Sequence, residues 1–91
     1  MRFMVTFSIK PESKGRDPAI ARFKKTGGKP PKGLTMLGRW TAADFSGGHV
    51  LLEGDDASAL TEFALMWSDL MDLRVVPVLE DQALGQVLQK F

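Results

Sequence analysis

Alternation of apolar and polar residues predicts four β-strands. In the first nine residues every second position from Phe3 to Ile9 is a large apolar residue, a period of two that is typical of a strand with one buried face. This strand is predicted over residues 2–10. Short runs rich in apolar residues predict three more strands over 34–43, 49–53 and 73–79, and the glycine-rich DFSGG joins the second and third as an antiparallel hairpin.

Three helices are predicted between and after these strands. The first is predicted over 18–26, because Asp17 is a good N-cap, Pro18 suits the first helical position, and Gly27 and Gly28 can end the helix. The second begins after Asp55 or Asp56, and the third after Asp81. Their apolar residues recur at intervals of three and four, as one buried helical face requires: Ala57, Leu60, Phe63, Ala64, Trp67 and Met71 in the second helix, and Leu84, Val87, Leu88 and Phe91 in the third.

The order of these elements predicts an α+β protein with a ferredoxin-like βαββαβ fold and an added C-terminal helix. Such a fold has a four-stranded antiparallel sheet in the order 4-1-3-2, with both crossover helices on one face. Pro77 supports this order, because a proline removes a ladder donor and is tolerated mainly on an edge strand. With 91 residues, we expect one domain over 1–91.

The other face of the sheet is predicted to be too apolar to stay exposed. On the second strand Met36, Gly38, Trp40 and Ala42 are predicted to face the helices, and Leu37, Arg39 and Thr41 to face away. A slip of one residue would exchange these two sets. If Val75 faces the helices, the open face carries Met4, Leu37, Leu51, Val76 and Val78 among its polar residues. A monomer rarely exposes such a patch, so we expect a homodimer joined through this face.

Composition and charge narrow the function classes. Hydrophobic residues make up 44% of the chain, charged residues 25%, and cysteine is absent, which excludes thiol nucleophiles, disulfides and cysteine-based metal sites. The net charge of +1 combines +8 in residues 1–43 with −7 in residues 44–91. Because an interleaved fold would place these halves side by side, the charge gives little support for nucleic-acid binding. We find no signal peptide and no apolar run long enough to span a membrane, and we expect a cytoplasmic protein without membrane association.

Arg39 and Trp40 form the most specific candidate site. A guanidinium can hold a carboxylate with two hydrogen bonds, and an indole offers a flat apolar wall. With Glu53, these residues are the predicted ligand-binding set for a small anionic, partly apolar molecule. The alternative, which we favour about two to one on the general tendency of aromatic residues to be buried, is that Trp40 belongs to the core and Arg39 pairs with Glu53 or with an acid across the dimer.

His49 is the candidate catalytic residue, because it is the single histidine and imidazole titrates near neutral pH. It does not form a ready dyad with Glu53, since four residues along a strand span roughly 13 Å. A surface or hairpin role for His49 is therefore the stronger expectation. No cluster of histidine and carboxylate residues suggests a metal, and no cofactor is predicted.

Two segments could suggest binding of a phosphate group or of RNA, but neither has the residues that such binding needs. The segment TGGKPPKG lacks the phosphate-loop pattern, and its prolines remove donors that an anion would need. The third strand, GGHVLLE, lacks the stacking aromatic residues of RNA-recognition modules. We therefore predict no nucleic-acid partner.

Three segments carry a family resemblance: MRFMVTF, TGGKPPKGLTMLGRW and FALMWSDLMDLRVVPVLED. With them the chain resembles a family of short bacterial proteins described as a domain of unknown function, over nearly its whole length. Such proteins are similar to the dimeric α+β barrel superfamily, in which two ferredoxin-like subunits join their sheets around a central space. That superfamily includes cofactor-independent oxygenases, isomerases, haem-handling proteins and stress proteins, so the resemblance implies an architecture without assigning an activity.

The sequence therefore supports two functional hypotheses. The first is a homodimeric α+β barrel that binds a small anionic molecule, with Arg39 supplying charge, Trp40 a wall and His49 a proton acceptor for cofactor-independent proton transfer or oxygenation. The alternative is a non-enzymatic, self-associating structural or interaction module whose sheet face is filled by the dimer contact. An accessible pocket of roughly 300 Å³ lined by Arg39 or His49 would favour binding.

Overall fold

The computed structural model describes residues 1–11 and 13–91, and the described residues form four strands and three helices. In chain order these are β1 (Arg2–Ile9), α1 (Ser13–Thr26), β2 (Thr35–Thr41), β3 (Gly47–Glu53), α2 (Ala57–Trp67), β4 (Met71–Val78) and α3 (Asp81–Leu88).

The four strands form one antiparallel sheet in the order β2-β3-β1-β4. This is the predicted 4-1-3-2 order counted from the other edge, and the α+β, ferredoxin-like class with an added helix is confirmed. Pro77 lies on β4, an edge strand, where one side of the ladder needs no partner.

The core lies between the sheet and the helices. Val5 on β1 is opposite Val50 on β3 and Val75 on β4, so these three side chains share the face that the helices cover. The buried residues of this core come from both layers: Val5, Leu34, Val50, Leu52, Ala59, Leu60, Phe63 and Trp67. Trp67 is 6% exposed, which confirms its predicted core position.

A β-bulge in β2 changes which of its residues face the helices. Met36 is opposite Leu52 as the alternation predicts, but Gly38 is opposite Leu51, so one extra residue sits between them. An inserted residue shifts the period of two and exchanges the faces beyond it. Arg39 is consequently opposite Val50, on the helix side, and Trp40 is opposite His49, on the open side. The predicted faces of Gly38, Arg39, Trp40 and Thr41 were therefore wrong.

The start of α1 also differs from the prediction. The helix begins at Ser13, so Pro18 lies inside it and Asp17 is not its N-cap. An internal proline removes one intrahelical hydrogen bond, but the first turn gains tertiary packing. A Cβ on buried Gly15 would come within 2.6 Å of the Lys10 carbonyl oxygen and 3.1 Å of that of Leu70. The α1 backbone at Gly15 therefore packs closely against the end of the sheet. This packing supports a helix start at Ser13, earlier than the capping signals predict.

The remaining helix ends follow the capping signals closely. The side chain of Asp56 accepts a 2.9 Å hydrogen bond from the backbone N–H of Ser58, which confirms the predicted cap of α2. Gly27 and Gly28 have positive φ and end α1 as predicted. Two details were wrong: Met71 begins β4 instead of extending the face of α2, and Glu80 precedes α3 in place of Asp81.

An ion pair joins α1 to the turn after α2. The guanidinium of Arg22 donates to both Asp69 carboxylate oxygens at 2.7 and 2.8 Å and to the Met66 carbonyl, and it lies over the Trp67 ring at 5.4 Å. The hydrogen bonds from Arg22 lower the pKa of Asp69 below its ordinary value. The pair therefore stabilises the fold while Asp69 is ionised.

Replacing Asp69 with asparagine should lower the free energy of unfolding by about 0.2–1 kcal/mol at pH 7, since the pair is partly exposed. A carboxyl whose pKa is lowered by folding contributes stability above its unfolded pKa and loses that contribution as pH falls through its folded pKa. Urea unfolding of both proteins should thus show a difference at pH 7 that disappears in strong acid. An equal difference at both pH values would contradict this assignment.

Candidate functional site

A cavity of about 340 Å³ lies between the helix side of the sheet and the two crossover helices. Every strand and both crossover helices contribute to its lining, with the turn after β2: Val5, Phe7, Ile9, Ala19, Ile20, Phe23, Lys24, Gly28, Arg39, Thr41, Phe45, Val50, Phe63, Trp67, Met71 and Leu73. The volume lies within the range of small-molecule sites.

The lining is apolar except for three side chains. Lys24 and Arg39 are cations and Thr41 carries a hydroxyl, whereas the other lining residues are aliphatic, aromatic or glycine. A pocket with an apolar body and a few polar groups is the usual form of a small-molecule site. Here both charged groups are positive, so an anionic group on the ligand is favoured.

Arg39 is held in place by the end of α1. Its guanidinium donates to the carbonyl oxygens of Gly28 at 2.9 Å and Gly27 at 3.2 Å, and it lies 4.6 Å from the centroid of the Phe23 ring. Two carbonyl hydrogen bonds leave three of the five guanidinium donors for other partners. The carbonyls and the ring thus orient a cation at the cavity wall before any ligand arrives.

Gly28 makes this arrangement possible. Its φ is 60°, a conformation that favours glycine, and it is buried. A Cβ at this position would lie 2.6 Å from Nη1 of Arg39 and about 3.1 Å from the Phe23 ring. The glycine that ends α1 therefore also leaves room for the guanidinium.

Phe45 lies in the turn between β2 and β3, beside the cavity. Its φ of 61° is uncommon for an aromatic residue. The turn is held by a hydrogen bond from the Phe45 N–H to the Ala42 carbonyl at 2.8 Å, and by one from the Ser46 N–H to the Asp44 carboxylate at 3.0 Å. Donation from Ser46 lowers the pKa of Asp44. These bonds hold the aromatic side chain in the cavity lining despite its unfavourable backbone conformation.

Trp40 and His49 lie on the open face of the sheet, away from the cavity. Trp40 is 59% exposed, and its ring lies against Gly38, where a Cβ would come within 2.5 Å of the indole. His49 is opposite Trp40 on one side and Thr6 on the other, with its Nδ1 3.3 Å from the Thr6 hydroxyl oxygen. These residues form one row across the face.

Glu53 is also on the open face and does not contact Arg39. It accepts a 3.1 Å hydrogen bond from Nε of Arg2, and Arg2 also pairs with Glu80. Within one chain, the structure therefore separates the predicted set. Arg39 lines the cavity, whereas Trp40, His49 and Glu53 share the opposite face.

Of the cavity residues, sequence reasoning named Arg39 alone as part of a site, and Phe23, Lys24, Phe45 and Trp67 are among those it missed. Trp67 was assigned to the apolar face of the second helix, which is correct for packing but does not reveal that it borders a space. Phe23 was not assigned to a site, and it lies half-exposed in the cavity wall. Lys24 follows Phe23 on α1, and Phe45 lay within a predicted connection. The one local sequence feature that points to this site is the pair Gly27 and Gly28, because their carbonyl oxygens accept hydrogen bonds from Arg39.

Two further classes of site have no support in the described part of the chain. Within residues 1–11 and 13–91, no three histidine or carboxylate side chains come together as metal ligands. Helices in the same ranges all fall short of the length and apolarity that crossing a bilayer demands.

Comparison with known proteins places the chain in a family. A search of curated proteins finds no match. A family model described as "Domain of unknown function (DUF3303)" matches residues 1–91, which confirms the resemblance to such a family. The chain therefore belongs to the DUF3303 family.

Proposed function

We propose that this protein binds a small amphipathic anion, a carboxylate with an apolar body, in the cavity between the sheet and the two crossover helices. The observation that carries the proposal is the combination of an apolar space of about 340 Å³ with two cationic side chains, Lys24 and Arg39, in its wall. The anionic group would bind Arg39, and the apolar body would lie among the aromatic and aliphatic side chains.

The size of the cavity sets the size of the ligand. A volume of about 340 Å³ is at the lower end of the roughly 300–1,000 Å³ found for small-molecule sites. This suits a small ligand, such as a medium-chain fatty acid or an aryl carboxylate. Moving the apolar body out of water would supply most of the affinity, and the charge pair would select for anions.

The proposal is one of binding, not of catalysis. The ionisable side chains in the described lining are Lys24 and Arg39, and the proposal gives both the role of attracting an anionic group. His49 lies on the opposite face of the sheet. The predicted proton-transfer or oxygenase chemistry at His49 therefore stays a separate prediction, outside this proposal.

We extend the proposal to a homodimer joined through the open face. Trp40, Leu51, Met4 and Val76 lie on that face, and no helix in the described part of the chain packs over it. Burying this surface against a second copy would remove apolar area from water. If two copies associate but the cavity binds no ligand, the alternative of a self-associating module would explain the protein better.

Calorimetric titration with three ligands of equal chain length tests the binding site: decanoate, decanol and decylamine, all at sub-millimolar concentration. We expect decanoate to bind one site per chain at least about tenfold more tightly than decanol, because a charge-assisted hydrogen bond contributes about 1.5–3 kcal/mol. Decylamine should bind most weakly, since it places a cation beside Lys24 and Arg39. Equal binding of all three, or binding of none, would contradict the proposal.

A further inference from the structure

Three cations, the basic cluster, lie around the turn that ends α1: Lys24, Lys29 and Arg39. Lys24 and Arg39 line the cavity. A Cβ on Gly27 would lie 3.8 Å from both Cγ and Cε of Lys29, so the stem of this lysine runs along Gly27. The carbonyl oxygen of the same glycine accepts a hydrogen bond from Arg39. Lys29 and Arg39 therefore contact one residue, at the end of the cavity where the proposed anionic group binds.

Carboxylates do not neutralise the basic cluster. The stretch from 18 to 39 contains six cationic residues and no acidic residue, and the described lining of the cavity includes no carboxylate. Within residues 1–11 and 13–91, ion pairs are made by the N-terminal amino group, Arg2 and Arg22. Arg39 donates to carbonyl oxygens, which carry no net charge. Because like charges repel one another, the cluster favours a counter-charge from outside the described part of the chain.

Helix stability explains only part of the basic cluster. A cation in the last turn of a helix interacts favourably with the helix dipole, and Lys24 lies in the last turn of α1. Lys29 lies beyond the end of α1, and Arg39 is on β2, so the dipole does not account for either. Binding of an anion accounts for all three positions.

The backbone donors of the two glycines in this turn are already occupied. The N–H of Gly27 donates to the Phe23 carbonyl at 2.7 Å, and the N–H of Gly28 donates to the Thr26 hydroxyl at 3.2 Å. An anion here would thus be held by side chains, whereas a phosphate loop surrounds its anion with backbone N–H groups. The same two bonds fix the turn, so the cationic side chains start from a rigid support.

We infer that the charged end of the cavity's ligand is a phosphate monoester, bound by Arg39 and the two lysines of the basic cluster. The inference rests on the proposed function and narrows the anionic group to one that the same site binds more tightly than a carboxylate. A phosphate monoester carries about −1.5 to −2 charge at pH 7, whereas a carboxylate carries a single charge. Arginine binds phosphate through its planar fork, and lysine adds a compact point charge.

The ligand class is therefore a phosphate monoester attached to an apolar chain. A soluble alkyl or aryl phosphate has this chemistry, and so does the head group of phosphatidic acid in a bilayer. The cavity favours the soluble molecule, because its apolar lining lies between the sheet and the helices and its volume of about 340 Å³ suits a small ligand.

Calorimetric titration with decyl phosphate and decyl sulfate tests the head group, because the two ligands share a chain and a tetrahedral anion but differ in charge. We expect the wild type to bind decyl phosphate at least about tenfold more tightly, as one added charge-assisted hydrogen bond would give. Lys29→Gln should reduce this preference to about threefold or less and leave decanol binding unchanged. Lys29 is exposed, so the substitution leaves the core intact.

Lys90→Gln is the matched control. It removes the same charge from an exposed lysine after the end of α3, outside the described cavity lining. This variant should keep the full preference for decyl phosphate. A preference that falls equally in both variants would show that net charge, and not the basic cluster, governs it, and would overturn the inference.

Four further results would overturn the inference. Equal binding of decyl phosphate and decyl sulfate, with decanoate still bound, would leave the proposed carboxylate site standing. An unchanged preference in Lys29→Gln would remove Lys29 from the site. Inorganic phosphate that binds as tightly as decyl phosphate would separate the basic cluster from the cavity. Retention on vesicles of phosphatidylcholine and phosphatidic acid, without a preference for decyl phosphate, would assign the cluster to a bilayer surface. Failure of every ligand, decanoate included, would contradict the proposed function as well.

Discussion

Replacing Arg39 with glutamine is expected to weaken decanoate binding about 10- to 100-fold while leaving decanol binding nearly unchanged. The amide of glutamine can still donate to a carbonyl oxygen at the end of α1, but it cannot form an ion pair with a carboxylate. Loss of a hydrogen bond between charged groups has about this effect on affinity. Calorimetric titration of both ligands into both proteins measures it.

Arg74→Gln is the matched control, because it removes the same charge from an exposed arginine. Arg74 is opposite Thr6 on β1, on the open face and away from the cavity. This variant should bind decanoate like the wild type. Similar losses in both variants would show that net charge, and not a site at Arg39, governs binding. Equal loss of decanol and decanoate in Arg39→Gln would instead indicate that the cavity itself had collapsed.

Replacing Trp67 with alanine is expected to lower the free energy of unfolding by about 3–5 kcal/mol. Trp67 is among the least exposed large side chains, contributes to the cavity lining, and stacks with Arg22. Its removal would take away buried apolar area and leave a space that the surrounding strands and helices cannot fully fill. Urea unfolding followed by far-ultraviolet circular dichroism measures the change.

Leu65→Ala, on the same helix, separates core packing from helix propensity. Leu65 is exposed and does not contribute to the core cluster, so its substitution should change the unfolding free energy by no more than about 0.5 kcal/mol. Comparable losses from the two variants would show that α2 does not pack as described. A loss of less than about 1 kcal/mol in Trp67→Ala would place Trp67 outside the cooperative core.

Much of the fold was predictable because it rests on local periodicity. Alternation along β1 correctly assigned Phe3, Val5 and Phe7 to the helix side, and the spacing within α2 identified Leu60, Phe63 and Trp67 as core residues. Pro77 correctly indicated an edge strand. These patterns work because a residue repeat in the chain becomes a geometric repeat in a strand or helix.

The candidate site was less predictable because it depends on how the residues of β2 pair with those of β3. The bulge at Leu37 moves Arg39 to the helix side and Trp40 to the open side, and nothing in a hydrophobic pattern marks an inserted residue. The start of α1 was missed for a related reason. Packing of Gly15 against the Lys10 and Leu70 backbones compensates for Pro18, and those partners are brought together only by the fold.

The sequence by itself determined the order of strands and helices, the sheet topology and most of the core, since these follow from periodicity, capping and the limits on proline. Tertiary structure alone decided that a cavity exists beside Trp67 and Phe45, that Arg39 lies in its wall, and that α3 contains no buried residue. The physical reason is that cavities and exposed faces depend on how separate elements pack, and one inserted strand residue suffices to exchange which side chains meet.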